Sequence, residues 1–130
     1  MPVTVLVVDD DEDTRWLLAA TLRGNPGVTV VGLAGDGETA VAFVRRERPE
    51  VVLMDLLMPR LDGLEATRRI KREWPNTKVI VLTGLAEEAY RLAASFNGAD
   101  RFLNKAEIAA ALLPAIQDVT GRAAGPTEAN

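Results

Sequence analysis

Residues 51–63 read Val51-Val-Leu-Met-Asp55-Leu-Leu-Met-Pro59-Arg-Leu-Asp-Gly63. The first four residues are apolar without alternation, as in a strand that is buried on both faces of a parallel sheet. The apolar run stops at Asp55, so this carboxylate is predicted at the carboxyl end of the strand. Ligands of open α/β sheets bind at that end. The stretch therefore predicts both a parallel sheet and a candidate functional residue.

Similar apolar runs recur along the chain and are separated by longer segments with helical spacing of apolar residues. Strands are predicted at 3–8, 28–33, 51–54, 79–82 and 101–103. The core-facing helical residues are predicted to be Leu17, Leu18, Thr21 and Leu22; Ala40, Val41 and Val44; Leu64, Thr67 and Ile70; Leu92, Ala93 and Phe96; and Ile108, Leu112 and Ile116. Five βα units without a hairpin signal predict an α/β, doubly wound, open parallel sheet in a single domain.

Polar side chains follow four of the five predicted strands. Asp9 and Asp10 follow the first, Asp55 the third, Thr83 the fourth and Lys105 the fifth. Because the carboxyl ends of parallel strands share one edge of the sheet, we expect these side chains to converge.

The acidic run that begins at Asp9 has two interpretations. A run of charges is often only a solvated surface. Here it follows a buried strand directly, and carboxylates held close together beside Asp55 repel one another unless a cation binds. Mg²⁺ or Mn²⁺ is the expected cofactor, with Asp10 and Asp55 as direct ligands, Asp9 mostly through water, and the backbone carbonyl of Leu57 as a further ligand.

Asp55 is also a candidate nucleophile. A carboxylate beside bound Mg²⁺ can accept a phosphoryl group, and this transfer needs mainly positioning and charge neutralisation. Lys105 would supply a point charge to one phosphoryl oxygen, and the Thr83 hydroxyl a hydrogen bond to another. Singly, each has a plainer interpretation as an exposed lysine or a strand-end residue.

The composition excludes several kinds of site. The chain has no Cys and no His, which excludes a thiolate nucleophile, a Ser-His-Asp triad and the usual transition-metal sites. A net charge of −4 argues against direct contact with nucleic acid. Because the sequence shows neither a signal peptide nor an apolar run of membrane length, we expect a cytoplasmic protein without membrane contact.

Taken together, these segments resemble the receiver domain of bacterial response regulators. The resemblance covers residues 3–119 and is carried by Val5-Leu-Val-Val-Asp9-Asp10, the stretch 51–63, Val81-Leu-Thr83 and Phe102-Leu-Asn-Lys105. Glu65-Ala-Thr-Arg-Arg-Ile70 and Trp74-Pro75 are similar to receivers of the NarL/LuxR-type transcriptional regulators. The resemblance implies a CheY-like, flavodoxin-like sheet of order 2-1-3-4-5, with a receiver over 1–120 and a tail or truncated linker over 121–130.

The resemblance also implies a role in two-component signalling. A sensor histidine kinase or phosphotransfer protein would phosphorylate Asp55, Thr83 would then move toward the phosphoryl group, and Phe102 would change rotamer. Phe102 has a plainer interpretation as a core residue. Such a module is not an enzyme with outside substrates, since it catalyses only its own phosphorylation and dephosphorylation. Pairing of two copies on phosphorylation is a further implication.

Among the positions that depart from the family pattern, two bear on the geometry at the strand ends. Ala106 stands where Pro commonly follows the active-site Lys, often through a cis bond. Because a cis bond without Pro costs about 2.5–4 kcal/mol, we expect a trans bond or a reshaped loop at Lys105. Gly84 stands where Ala is usual and should loosen the loop after Thr83.

Other hypotheses stay open at this point. The chain could be a receiver-like interaction module that works without phosphorylation, or a small phosphatase with an aspartate nucleophile. A phosphatase of this type has the motif Asp-x-Asp-x-Thr/Val. The run Asp9-x-Asp11-x-Asp13 does not match it at the last position, where Asp stands in place of Thr or Val. Trp16 either packs in the core or anchors a partner protein on the flank of the first helix.

Overall fold

The computed structural model describes residues 2–56, 58, 62–84 and 88–122. Strands and helices alternate as predicted. The elements are β1 (Val3–Val8), α1 (Glu12–Arg23), β2 (Val28–Ala34), α2 (Gly37–Glu47), β3 (Val51–Asp55), α3 (Gly63–Glu73), β4 (Lys78–Thr83), α4 (Glu88–Phe96), β5 (Arg101–Asn104), a 3₁₀ turn (Lys105–Glu107) and α5 (Ile108–Thr120). Within the described ranges, no helix is long and apolar enough to cross a membrane.

The five strands form one parallel sheet in the order β2-β1-β3-β4-β5, which confirms the predicted fold class. The pairing of β1 with β2 shifts by one residue between Val5 and Leu6, so that Leu6 lies opposite Gly32. β1, β3 and β4 occupy the centre of the sheet. The functional candidates at the carboxyl ends of these three strands therefore have a paired strand on either side.

Apolar residues on the two faces of the sheet form two separate core layers. One layer joins the sheet to α1 and α5 through Leu18, Leu22, Leu112 and Ile116. The other joins it to α2, α3 and α4 and includes residues such as Val44, Ile70 and Ala94. Helices on both faces of a parallel sheet are the doubly wound arrangement that the βα alternation predicts.

Some residues predicted to face the core are instead exposed. In α1, Leu18 and Leu22 are buried, but Leu17 is 65% exposed and Thr21 is exposed as well. In α4 the prediction is wrong for Leu92 and Phe96, which are 52% and 92% exposed, and only Ala94 is fully buried. The prediction that every strand is buried on both faces is also wrong for β2. This strand lies at the edge of the sheet, and its exposed residues alternate with buried and half-buried ones.

Polar side chains cap the first turns of α3 and of the 3₁₀ turn, both of which begin near the carboxyl edge of the sheet. Asp62 accepts a hydrogen bond from the backbone N–H of Glu65 at 2.9 Å, which is the first half of a capping box. The Glu65 side chain pairs with Arg68 and Arg69 rather than reaching back to the cap. At the start of the 3₁₀ turn, the Asn104 side chain accepts a hydrogen bond from the Ala106 N–H and caps the turn.

Candidate phosphoryl and metal site

Three carboxylates meet at the carboxyl edge of the sheet. Asp55 ends β3 and Asp9 follows β1; their exposed fractions are 5% and 1%. Asp10 is exposed beside them. One carboxylate oxygen from each residue lies within 4.8 Å of the other two. The structure therefore brings together the acids that were predicted to converge, at a spacing that one small cation could bridge.

Lys105 is the fourth charged group at this edge. Its Nζ donates a hydrogen bond to Asp9 Oδ2 at 2.8 Å and lies 3.1 Å from Asp55 Oδ1. The Lys105–Ala106 bond is trans. The residues from Lys105 to Glu107 form the 3₁₀ turn, so the chain places the ammonium group beside both buried acids without a Pro.

Burial and mutual repulsion set the protonation of the site. Burial of the carboxyl raises the pKa of Asp55 to about 6; the charge of Asp9 acts in the same direction, and Lys105 opposes it. For Lys105, burial disfavours the charged form, but the hydrogen bond to Asp9 and the charge of Asp55 outweigh it and raise its pKa. One ammonium group thus leaves the negative charge of the three acids only partly neutralised.

A bound cation would neutralise the remaining negative charge, and the side chains present are suited to one. All three donors are carboxylate oxygens, the ligand type that Mg²⁺ takes in proteins, and Asp10 is open to solvent for the waters that Mg²⁺ retains. The residues present fit a hard divalent cation. The expected fourth ligand, the carbonyl of Leu57, lies outside the described residues.

Backbone contacts hold the Asp9 loop in place. Asp9 N–H donates to the carbonyl of Ala34 at 3.0 Å, and Asp11 N–H donates to Asp9 Oδ1 at 2.9 Å. Arg15 Nη1 reaches back to donate to the Asp9 carbonyl at 2.8 Å. Sequence reasoning missed Arg15, because nothing in its spacing distinguishes it from a solvated residue of α1.

Gly63 supports the other side of the site. Its N–H donates to the carbonyl of Leu56 at 3.0 Å, which draws the first turn of α3 against the end of β3. A Cβ at Gly63 would lie 2.0 Å from the carbonyl oxygen of Asp55, well inside contact distance. The position therefore has no room for a side chain, a requirement that the Asp62-Gly63 pair in the sequence did not reveal.

The two predicted switch residues lie on neighbouring strands. Thr83 is the last residue of β4 and is 1% exposed. It lies in register with Asn104 of β5. Phe102 is half-buried against the core layer that contains α4, and it lines a surface cavity of about 460 Å³ together with Arg91 and Asn104. Phe102 is thus neither a fully enclosed core residue nor a free surface residue.

Comparison with known proteins gives the family of this arrangement. A family model described as the response regulator receiver domain matches residues 5–117. The sequence is 36% identical over 117 residues to the response regulator protein VraR of Staphylococcus saprophyticus, which covers 90% of this chain and 56% of that protein. It is 50% identical over 86 residues to a protein-glutamate methylesterase/protein-glutamine glutaminase of Myxococcus xanthus, covering 66% of this chain and 24% of that protein.

A solved structure gives the same result for the fold. The crystal structure of a two-component response regulator of the LuxR family from Aurantimonas sp. matches with a TM-score of 0.88 and 30% identity, covering 95% of this chain and 89% of that one. The chain spans about half of VraR and about a quarter of the methylesterase. The shared region is therefore one module that occurs in larger proteins with different outputs.

Proposed function

This chain belongs to the response regulator receiver domain family of two-component systems, and we propose that its Asp55 accepts a phosphoryl group from a partner histidine kinase or phosphotransfer protein with the help of Mg²⁺. The observation that carries the proposal is the grouping of Asp55 with Asp9, Asp10 and Lys105 at one edge of the sheet. Such a site combines a nucleophile, donors for a hard cation and a fixed positive charge.

The proposed step is an in-line displacement. A carboxylate oxygen of Asp55 attacks the phosphorus of a phosphohistidine, a P–O bond forms, the P–N bond breaks, and the electron pair leaves on the imidazole. Bound Mg²⁺ would neutralise the acids and the phosphoryl oxygens. Lys105, already beside Asp9 and Asp55, would meet the added negative charge without a large rearrangement.

Thr83 and Phe102 are proposed to transmit the change. A phosphoryl group on Asp55 adds negative charge and acceptor oxygens beside the end of β4, and a hydroxyl group there can donate to it. Thr83 lies in register with Asn104 of β5, and Asn104 and Phe102 line the same surface cavity. Movement of Thr83 would therefore alter the space that is open to the Phe102 ring. Two packings of this half-buried ring would give the module its two states.

Incubation with acetyl phosphate tests the proposal without knowledge of the kinase. We expect one phosphoryl group per chain in the intact mass when Mg²⁺ is present, and none when the metal is chelated. No adduct in a folded, Mg²⁺-bound protein would instead favour the interaction module that works without phosphorylation. Turnover of a chromogenic phosphomonoester would favour the phosphatase hypothesis.

The affinity for Mg²⁺ is expected to depend on pH. With a pKa of about 6 for Asp55, a proton competes with the cation below that pH, so the affinity falls by up to tenfold per pH unit there and is nearly constant above pH 7. The same raised pKa contributes to the stability of the metal-free fold at pH 4, and this contribution is lost as the pH rises through about 6. Calorimetric titration with Mg²⁺ between pH 5 and pH 8 checks the first effect.

A control variant separates this behaviour from general acid effects. Asp118→Asn removes a carboxylate that is 62% exposed and pairs with Arg101 at the amino end of β5, opposite to the edge of the sheet that holds the site, so it should keep the wild-type pH profile. An unchanged Mg²⁺ affinity from pH 7 down to pH 5 in the wild type would contradict the assignment of Asp55 as a ligand.

Trp16 is proposed as part of the surface that meets the kinase. Its side chain is 64% exposed, which excludes the core interpretation, and Leu17 beside it is 65% exposed. Trp16→Ala should slow phosphotransfer from the kinase about tenfold or more at low kinase concentration, because aromatic anchors dominate many interfaces. Phosphorylation by acetyl phosphate should not change.

Phe96→Ala provides the matched control for Trp16, since it removes another exposed aromatic ring, at the end of α4. Phosphotransfer rates from the kinase to both variants can be compared in one assay. Equal rates for wild type and Trp16→Ala would show that this surface takes no part in kinase recognition.

Other expectations from the sequence stay predictions. They are pairing of two copies on phosphorylation, the boundary of the domain near residue 120, the absence of enzymatic turnover on outside substrates, and a cytoplasmic location. The family membership supports a signalling role.

A further inference from the structure

The charge of the chain is distributed unevenly over its surface. Helices α2 and α3, together with the C-cap Arg48, carry seven of the fifteen basic residues but only four of the nineteen acidic ones. The seven basic residues are Arg45, Arg46, Arg48, Arg68, Arg69, Lys71 and Arg72. This set of residues has a net charge of +3, or +1 when the acidic N-caps Asp36 and Asp62 at the opposite ends of the helices are included, on a chain with a net charge of −4. A local positive field therefore exists on an acidic protein.

A groove runs between the two helices within this region. It has a volume of about 370 Å³ and is lined by Val41, Arg45, Arg69, Arg72 and Glu73. Arg45 and Arg69 have side chains that are 61% and 44% exposed, so their guanidinium groups are accessible. Val41 is 6% exposed and gives the groove an apolar floor. We call this surface the arginine groove.

Part of the arginine groove is preorganised. The guanidinium carbon of Arg45 lies 5.6 Å from the ring centroid of the buried Trp74, a cation–π arrangement that restrains the Arg45 side chain; Arg48, outside the groove, lies 5.5 Å from the same ring. Arg69 is held by Glu65, with Nε 3.2 Å from a carboxylate oxygen. Side chains that are fixed before binding lose less conformational entropy when a ligand arrives.

The remaining ion pairs in the arginine groove are weak. Arg45 lies 3.7 Å from Glu73 and Arg69 lies 3.8 Å from Glu38, and all four side chains are largely exposed. Arg72 forms no ion pair with any described residue. Exposed pairs at such distances contribute little to stability, so an incoming carboxylate can replace them at little cost.

We propose that the arginine groove binds an acidic segment of a partner protein. Carboxylates of this segment would pair with the arginines of the groove, and an apolar side chain of the segment would contact Val41. Arginine presents its donors as a planar fork that matches a carboxylate. The cations extend along both helices instead of converging on one point, which suits an extended segment better than a compact phosphate. The glutamates among them would repel a doubly charged phosphate more strongly than single carboxylates.

A labelled peptide tests this proposal directly. The probe is a short fluorescein-labelled peptide of glutamates with leucine at every fourth position, and its control has glutamine in place of every glutamate. We expect the anisotropy of the glutamate peptide to rise on binding, the binding to weaken with added salt, and the glutamine peptide not to bind.

Paired charge variants locate the binding surface. Arg69→Gln with Arg72→Gln should weaken binding about tenfold, since it removes both α3 arginines of the groove. Arg23→Gln with Arg91→Gln removes the same charge from α1 and α4 and should change the affinity less than about twofold. Thermal melts of both double variants confirm that they fold.

Each contrary result overturns the proposal. Absence of binding by the glutamate peptide, or equal weakening by the two double variants, would show that the arginine groove does not recognise carboxylates. Stronger competition by tripolyphosphate or by a short DNA duplex would assign the groove to phosphates instead. A change of oligomeric state in the groove variant alone would assign it to contacts between copies of the chain.

Discussion

Asp55→Asn is expected to lose all phosphoryl acceptance and, at the same time, to raise the stability of the metal-free fold. The amide cannot act as the nucleophile, so no acyl phosphate can form. The substitution also removes a buried charge whose pKa is raised to about 6 beside Asp9. We expect a gain of about 1–2 kcal/mol in the free energy of unfolding at pH 7.5, because the desolvation of that charge is relieved.

Chemical denaturation with chelator present measures this gain, and acetyl phosphate labelling measures the loss. Asp118→Asn is the control, since it neutralises an exposed acid and should change stability by no more than about 0.5 kcal/mol. A variant at position 55 that still gains a phosphoryl group would place the acceptor elsewhere. A variant that is less stable than wild type without metal would contradict the electrostatic account of the site.

Gly63→Ala is expected to be among the most damaging single-methyl additions in the chain. The added Cβ would lie 2.0 Å from the Asp55 carbonyl oxygen and 2.9 Å from the Cα of Leu56. These are backbone atoms at the end of a central strand, so relief requires α3 to move away from β3. We expect a loss of about 3 kcal/mol or more in unfolding free energy, together with slower phosphorylation of the displaced Asp55.

Gly24→Ala is the matched control for this substitution. Gly24 is the C-cap of α1 with a right-handed backbone, and a Cβ there would meet nothing within 4 Å. This variant should be as stable as wild type or slightly more stable, because alanine restricts the unfolded chain. If Gly63→Ala melted within a degree or so of Gly24→Ala, the close approach of α3 to Asp55 would be refuted.

Much of the fold could be predicted because buried central strands leave a clear pattern. The runs at β1, β3 and β4 have no polar alternation, and their limits were predicted within about a residue. The edge strand β2 was less predictable, since its exposed side chains include Val31 and Leu33. Exposed apolar residues of this kind cannot be distinguished from core residues by the sequence alone, so the sequence does not show that one face of β2 is open to water.

Helix α4 shows a second limit of sequence patterns. Leu92 and Phe96 have the spacing of a core stripe, yet the helix approaches the sheet through Ala94 and leaves both larger residues exposed. Periodicity identifies an apolar face but does not say whether the core covers it.

The convergence of the site was predictable, but its supports were not. Asp55 and Thr83 end their strands and Asp9 and Lys105 directly follow theirs, so the topology alone places all four at one edge of the sheet. Lys105 makes its contacts with Asp9 and Asp55 from the first position of a 3₁₀ turn, which the sequence did not predict. The support from Gly63 depends on a backbone approach between distant elements, which only three-dimensional packing reveals.

Localisation of the phosphoryl group is the most direct test of the central claim. The chain would be incubated with acetyl phosphate and Mg²⁺, reduced with borohydride, which converts an aspartyl phosphate to homoserine, and then sequenced by mass spectrometry. Our account predicts homoserine at position 55 alone, and only when Mg²⁺ is present. Conversion at another acid, or at position 55 equally well with the metal chelated, would contradict it.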